Sequence, residues 1–311
     1  MFPGPCVTGA HFGLMLWFNT LLPTLFPFFL ITQLIIVLNL CPEKLMTIYP
    51  FFVGLIAGYP TGALTCSEMN RQGYISNGKA QCMLIVCNNL SPIFLISYIA
   101  CYCLNLTTHK YIIWLSVISA STITALLFYY LKYRNIDNSS YKSNFSYTSD
   151  LETKNMYSSG NHVIETINRH TTDNHANDSA TFFLVFEQTM LKAFEMLVYI
   201  GGYVILFSML ATLMIQLPIS ESVAAFIAGL FEITTGSGLM HDCYTDIPIN
   251  IKSAALATLC GFGGLSGIMQ TKSVLSNSNL SITHYIFHKI ICGIISGIIC
   301  YILVLFLGIL I

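Results

Sequence analysis

"GLIAGYPTGALTCSEMNRQGYIS", Gly54 to Ser76, starts as an apolar run fit to cross a bilayer and then meets Gly58, Tyr59, Pro60, Thr61 and Gly62 before a string of polar side chains. Glycine frees the backbone and proline removes a donor, so a helix entering this stretch should unwind. Irregular backbone at membrane depth is tolerated only where it is buried in protein or lines a watery cavity, because lipid offers its N–H and C=O groups no partner. The freed N–H groups and the positive helix end suit a carboxylate. The competing reading of the same residues is a kink with close helix packing.

The rest of the chain shares the oily character. Of 311 residues, 55% are hydrophobic and 9% charged, against roughly 25% charged in a soluble domain. This composition implies an all-α polytopic membrane protein. Eight apolar segments approach the roughly 20 residues a spanning helix needs, at 12–39, 45–66, 80–104, 110–131, 196–217, 222–240, 251–272 and 283–311. A net charge of −1 without Lys/Arg clusters gives no field for nucleic acid. The 11 cysteines are scattered through apolar runs without a CxxC pair and read as small buried hydrophobes. The N-terminal "MFPGPCVTGAHFG" has neither a basic region nor a clean cleavage site, so no removed signal peptide is expected.

From Lys132 to Ala180 the chain turns rich in Asn, Ser, Thr and Tyr, which reads as a disordered cytoplasmic linker between a first membrane repeat, 1–131, and a second, 181–311. Its histidines His162, His170 and His175 lack metal-ligand spacing. Shifting the second half back by 175 positions sets Gly54-Leu55 on Gly229-Leu230 and Leu90-Ser91 on Leu265-Ser266. The order of features agrees as well. In each half a long helix precedes an interrupted run, a polar loop, a second interrupted run and a final helix. "GLIAGYPTGAL" answers to "GLFEITTGSGLM", and "CNNLSPIF" to "CGFGGLSGIMQ". Paired interruptions in two halves point to a transporter's midplane binding site.

Two topologies follow. If 45–66 and 222–240 re-enter, each half crosses three times and the repeats are inverted. Lys44, Arg71, Lys79, Lys132, Arg134, Lys272 and Lys289 then share one face, with chiefly Lys110 and Lys252 opposite, as the positive-inside rule favours. The alternative, eight full crossings, puts Lys44 and Lys272 outside.

Candidate ligand contacts are Gly58, Tyr59, Pro60, Thr61 and Gly62, then Asn88, Asn89 and Ser91 beside Pro92, with Gly263, Gly264, Ser266 and Gln270 in the matching place of the second half. Glu232, followed by Thr234, Thr235 and Gly236, is the one acid near the middle of an apolar run. It reads either as an ion or proton site or as a cap on the "TTG" turn. His284 and His288 at i and i+4 read as packing rather than zinc ligands, since no acid or Cys accompanies them. Glu68 and Arg71 could pair at the mouth. No P-loop, HExxH or GxSxG is present, so neither an enzyme, a cofactor nor a metal is expected.

Together "GLMLWFNTLLPTLFPFF" (Gly13 to Phe29), "AGYPTGA" with "SEMNRQGYIS", "AQCMLIVCNNLSPIF", "IGGYVILFS", "GLFEITTG" and "GFGGLS" resemble the YlbJ (SpoVV) family of sporulation integral membrane proteins, grouped with nucleoside-transporter and FeoB Gate, or nucleoside-recognition, domains. The family's "SGYPxGA" falls on Ala57 to Ala63, with Ala57 where Ser is usual. Its "GLLExTxG" falls on Gly229 to Gly236 and its "GGLSxxxQ" on Gly263 to Gln270. A leading helix of longer members is missing. The resemblance implies a role in endospore formation, moving dipicolinic acid across the outer forespore membrane. The alternatives are a nucleoside or nucleobase carrier and a non-transporting scaffold of a sporulation complex. Expected partners are the lipid bilayer, dipicolinate or a nucleoside, and a second copy of the chain.

Overall fold

The computed structural model describes residues 3–38, 40, 42–133, 178–244, 246–275 and 278–308. Nearly all of the polar linker, with its three histidines, lies outside the described residues. Within them the secondary structure is entirely helical.

In the first half, α1 (Pro3–Leu16) runs through a π-helical turn, Trp17–Leu21, into α2 (Leu22–Val37). Then come the short α3 (Glu43–Met46), α4 (Tyr49–Ala57), α5 (Thr61–Arg71), α6 (Asn77–Cys87), a π-helical stretch Phe94–Cys103, and α7 (Ile112–Phe128) with its π-helical extension Tyr129–Tyr133. The second half holds α8 (Asp178–Met214), α9 (Glu221–Phe231), α10 (Ile233–Cys243), α11 (Ile249–Phe262), α12 (Gly264–Val274) and α13 (Ile282–Phe306). Five helices are long and apolar enough to cross a membrane: Gly4–Val37, Ile112–Lys132, Phe182–Met214, Ile249–Val274 and Ile282–Phe306. The segments expected at 45–66, 80–104 and 222–240 are each split into two short helices: Gly58 and Pro60 interrupt the first, the asparagine pair and Pro92 the second, and the extended, helix-capping Glu232 the third.

Glycine contacts give the shape of two of these splits. In one straight helix Gly54 and Gly62 would lie about 12 Å apart. Here a Cβ on Gly62 would come within 3.1 Å of the Gly54 Cα, so α4 and α5 fold back into a hairpin. Gly229 and Gly236 meet backbone to backbone in the same way and close α9 and α10 into a second hairpin. The other interruptions, Asn88–Pro92 between α6 and the π-helical stretch and Gly263–Gly264 between α11 and α12, divide helices without folding them into such a hairpin. Each half therefore contains a long helix, a hairpin, a broken helix and a final helix.

The broken helix of the first half joins opposite ends of the molecule. Near its start Gln81 exchanges two hydrogen bonds with the Ser281 backbone, at 3.1 and 2.9 Å, close to the Lys132–His284 contact. At its finish the Cys103 carbonyl lies 3.1 Å from His241 Nδ1, at the base of the second hairpin. Small residues form the tightest seams, as expected where helices associate in lipid. Gly9 and Gly13 of α1 lie against Ser208 and its neighbours on α8, and the Trp17 indole, packed on Gly201, donates to the Leu197 carbonyl at 2.8 Å. Gly261 faces Gly293, and Gly297 faces Thr258, between α11 and α13. The two larger apolar cores mix the halves: one joins Leu95, Ile99 and Val117 with Leu256 and Val304, and the other joins Phe29, Met69 and Leu84 with Leu197 and Ile268.

Candidate functional site

The four interruptions converge. Gly58 ends α4 with φ 76°, a left-handed backbone only glycine adopts without strain. It has no room for a side chain, since a Cβ would sit 2.7 Å from the Ser91 nitrogen and 2.9 Å from the Asn89 carbonyl. The next residue, Tyr59, donates its N–H to that same carbonyl at 2.7 Å. Thus the first hairpin's tip rests on the first broken helix. Its counterpart repeats the arrangement: Gly264, φ 70°, lies against the Gly229 and Phe231 carbonyls and the Ile233 nitrogen, so the second tip rests on the second broken helix.

Two tyrosines link the halves. Tyr59 lays its ring on Gly267 of α12, where a Cβ would stand 3.1 Å from the ring. Tyr98, on the first broken helix, donates to the Thr234 carbonyl of the second hairpin at 3.2 Å.

The asparagine pair is clamped from α13. Asn88 Oδ1 accepts the Ala63 N–H at 3.2 Å, satisfying an orphan donor in the first turn of α5. Its Nδ2 donates to Thr271 Oγ1 and to the Tyr285 hydroxyl, both at 2.7 Å. Asn89 Nδ2 donates to the carbonyls of Ile85 and Val86, and its Oδ1 accepts from Lys289 Nζ at 3.0 Å. Tyr285 and Lys289 are one turn apart on α13 and each holds one asparagine. Asn88, expected as a ligand contact, has thus committed its amide to protein groups.

Glu232 is buried and caps α10: Oε2 accepts from the Thr235 N–H at 2.6 Å and from its hydroxyl at 2.8 Å. The Thr235 hydroxyl also reaches Ser208 of α8 at 3.4 Å. The capping alternative for this acid is therefore realised in the geometry. Gly236 supplies the glycine contact that closes its hairpin. Ser91 Oγ caps the π-helical stretch by accepting the Phe94 N–H at 3.3 Å. Gln270 donates to Ser266 at 3.0 Å, both buried, and Gly263, φ 87°, adjoins the Lys289 stem. The Thr61 hydroxyl, beside Pro60 and the start of α5, is fully buried with no hydrogen-bond partner.

Lys289 departs from expectation. The sequence places it on a basic membrane face with Lys79, Lys132 and Lys272, but it is 1% exposed and reaches the first half's interruption. Its only local signal is its position, the eighth residue of a long apolar helix. Its partner lies 200 residues away and leaves no mark in the pattern. Tyr285, Thr271 and Tyr98 were equally illegible.

The remaining expectations fall outside the cluster. Glu68 pairs with Arg71 at 2.5 Å near the surface, where such pairs contribute little. His288 packs its ring 4.1 Å from Phe128, and His284 contacts Lys132 at 2.9 Å. Among the described residues no group of His, Cys, Asp and Glu could hold a metal, and the described cysteines are free.

No family model matches the chain, and no solved structure matches it. The sporulation integral membrane protein YlbJ of Bacillus subtilis (strain 168) is 18% identical over 319 residues, covering 92% of this chain and 74% of YlbJ. This distant similarity over most of the length, together with five helices apolar enough to span, makes the chain a multi-pass integral membrane protein.

Proposed function

We propose that the chain is a sporulation membrane transporter that moves a small carboxylated aromatic, dipicolinate by the YlbJ resemblance, across the outer forespore membrane. The observation carrying this reading is the convergence of two hairpin tips and two helix breaks on one buried polar cluster. Such irregular backbone is expensive in lipid and recurs where transporters bind their substrate between repeats.

In this reading the two repeats are inverted and the hairpins re-enter. Helices of 11 residues are about 16 Å long, half of a roughly 30 Å hydrocarbon core. Three crossings per half send the second half in with opposite orientation. The bonds of Gln81 to Ser281 and of Cys103 to His241 support this, since they put the bases of the two hairpins at opposite ends. Exposed Arg71, Lys79, Lys132 and Lys272 then lie on the cytoplasmic side.

The N-terminal N–H groups of α5 and α10 are engaged by Asn88 and Glu232, so substrate carboxylates are held by the polar groups of the breaks, and rocking of one repeat against the other exposes the site to each side in turn. Most of the cluster is buried, with Tyr59, Ser91 and Thr234 partly exposed at its margin. Uptake of labelled dipicolinate into proteoliposomes of the purified chain tests the reading, with uridine as comparison. Saturable dipicolinate uptake is expected. Uptake of uridine alone would reassign the chain to nucleosides, and uptake of neither would make it a scaffold.

A further inference from the structure

Lys289 stands about 10 Å along α13 from the helix start. Its ammonium, with three donors, makes one hydrogen bond, to Asn89 Oδ1, and no carboxylate pairs with it among the described residues. On another side lies Gly263, whose missing side chain lets the stem lie against its backbone: a Cβ there would come 3.6 Å from Cε and 3.9 Å from Nζ. The lysine therefore sits where the first half's asparagine break and the second half's glycine break meet.

Holding Asn89 does not require a charge. One turn earlier, Tyr285 holds Asn88 with a neutral hydroxyl, which accepts from its Nδ2 and donates to its backbone carbonyl. A lysine within a membrane helix carries an insertion penalty that rises toward the bilayer centre, and a buried charge without a counter-ion costs more than a paired one. The buried acid of the cluster, Glu232, gives Oε2 to Thr235 in the second hairpin. What the clamp leaves unexplained is the positive charge and the two donors beyond Asn89.

We propose that Lys289 is the anion-reading residue of the site, its ammonium donating to a carboxylate oxygen of the ligand beside or in place of Asn89 Oδ1. The assignment rests on the transport reading for the ligand and where it enters, and it goes beyond it in naming the residue that reads the ligand's charge and so excludes neutral nucleosides. Charge-assisted hydrogen bonds from an ammonium are roughly twice as strong as neutral ones, so the residue discriminates by charge.

Ligand-induced shifts of the thermal unfolding midpoint of the detergent-purified full chain test this. The probes are dipicolinate, its uncharged analogue pyridine-2,6-dicarboxamide, and uridine. Dipicolinate alone is expected to raise the wild-type midpoint. Lys289→Gln keeps a donor for Asn89 without the charge and is expected to weaken dipicolinate at least tenfold, while Lys289→Arg recovers most of the response. A Lys289→Gln protein that responds to dipicolinate like wild type would overturn the proposal, as would a wild type that answers the diamide equally. If Lys289→Gln does not fold, the wild-type preference for the charged ligand and the Lys289→Arg response decide. Charge-dependent binding without uptake into vesicles would sink transport and leave the anion assignment standing. A response to uridine alone would end both.

Discussion

A buried hydroxyl without a partner loses its water and gains nothing in return, a cost of about 1–3 kcal/mol. Thr61 carries that cost at the tip of the first hairpin, whereas Asn88, nearby in space, is bonded from three sides. Their variants should therefore separate. Thr61→Val should leave the unfolding midpoint unchanged or raise it, yet lower dipicolinate uptake several-fold. Asn88→Ala strands the Ala63 N–H and should destabilise the protein by on the order of 3 kcal/mol, read as a lower midpoint in detergent. Equal loss of stability in both would mean that Thr61 serves packing. At this scale the sequence was an uneven guide. Asn88, Asn89, Glu232 and Gln270 announced themselves as polar groups in apolar runs. Lys289 did not, because a lysine two turns into an apolar helix looks like a headgroup anchor until the residue opposite it is known.

Hairpins closed by glycine contacts depend on two backbones touching. A methyl group on Gly62 would strike the Cys87 carbonyl, and one on Gly236 would strike Gly229. Gly62→Ala and Gly236→Ala should each cost about 1–3 kcal/mol by overpacking and reduce the yield of monodisperse protein. Gly202→Ala, with nothing within 4 Å, should not. Normal yield from the first two would contradict the hairpins. These elements were the most legible part of the chain. Gly58, Pro60, Gly263 and Gly264 mark the interruptions by backbone chemistry alone, and the positive φ at three of them is what glycine permits. Whether an interrupted segment folds back or runs on was not legible, since it depends on which glycines meet.

For the molecule as a whole, orientation is the decisive test. Gln72 lies in the turn after the first hairpin and Asp246 in the loop after the second, both exposed. Cysteines placed there should react with a membrane-impermeant maleimide from opposite sides of the membrane, Gln72→Cys from the cytoplasm. Labelling of both from one side would refute inversion. The order of helices and interruptions in each half could be read from the sequence, but the interlocking of the halves could not, because contacts such as Tyr98 to Thr234 join residues 136 apart. That interlocking has a mechanical consequence. Tyr59 ties the first hairpin to the second broken helix, and Tyr98 ties the first broken helix to the second hairpin. In the proposed transport cycle each mouth would have its own latch, since swinging one hairpin would release one tyrosine while the other stays seated. A leak open to both sides at once would then need both latches to fail together, and the paired tyrosines would work as an airlock for whatever gradient the membrane maintains.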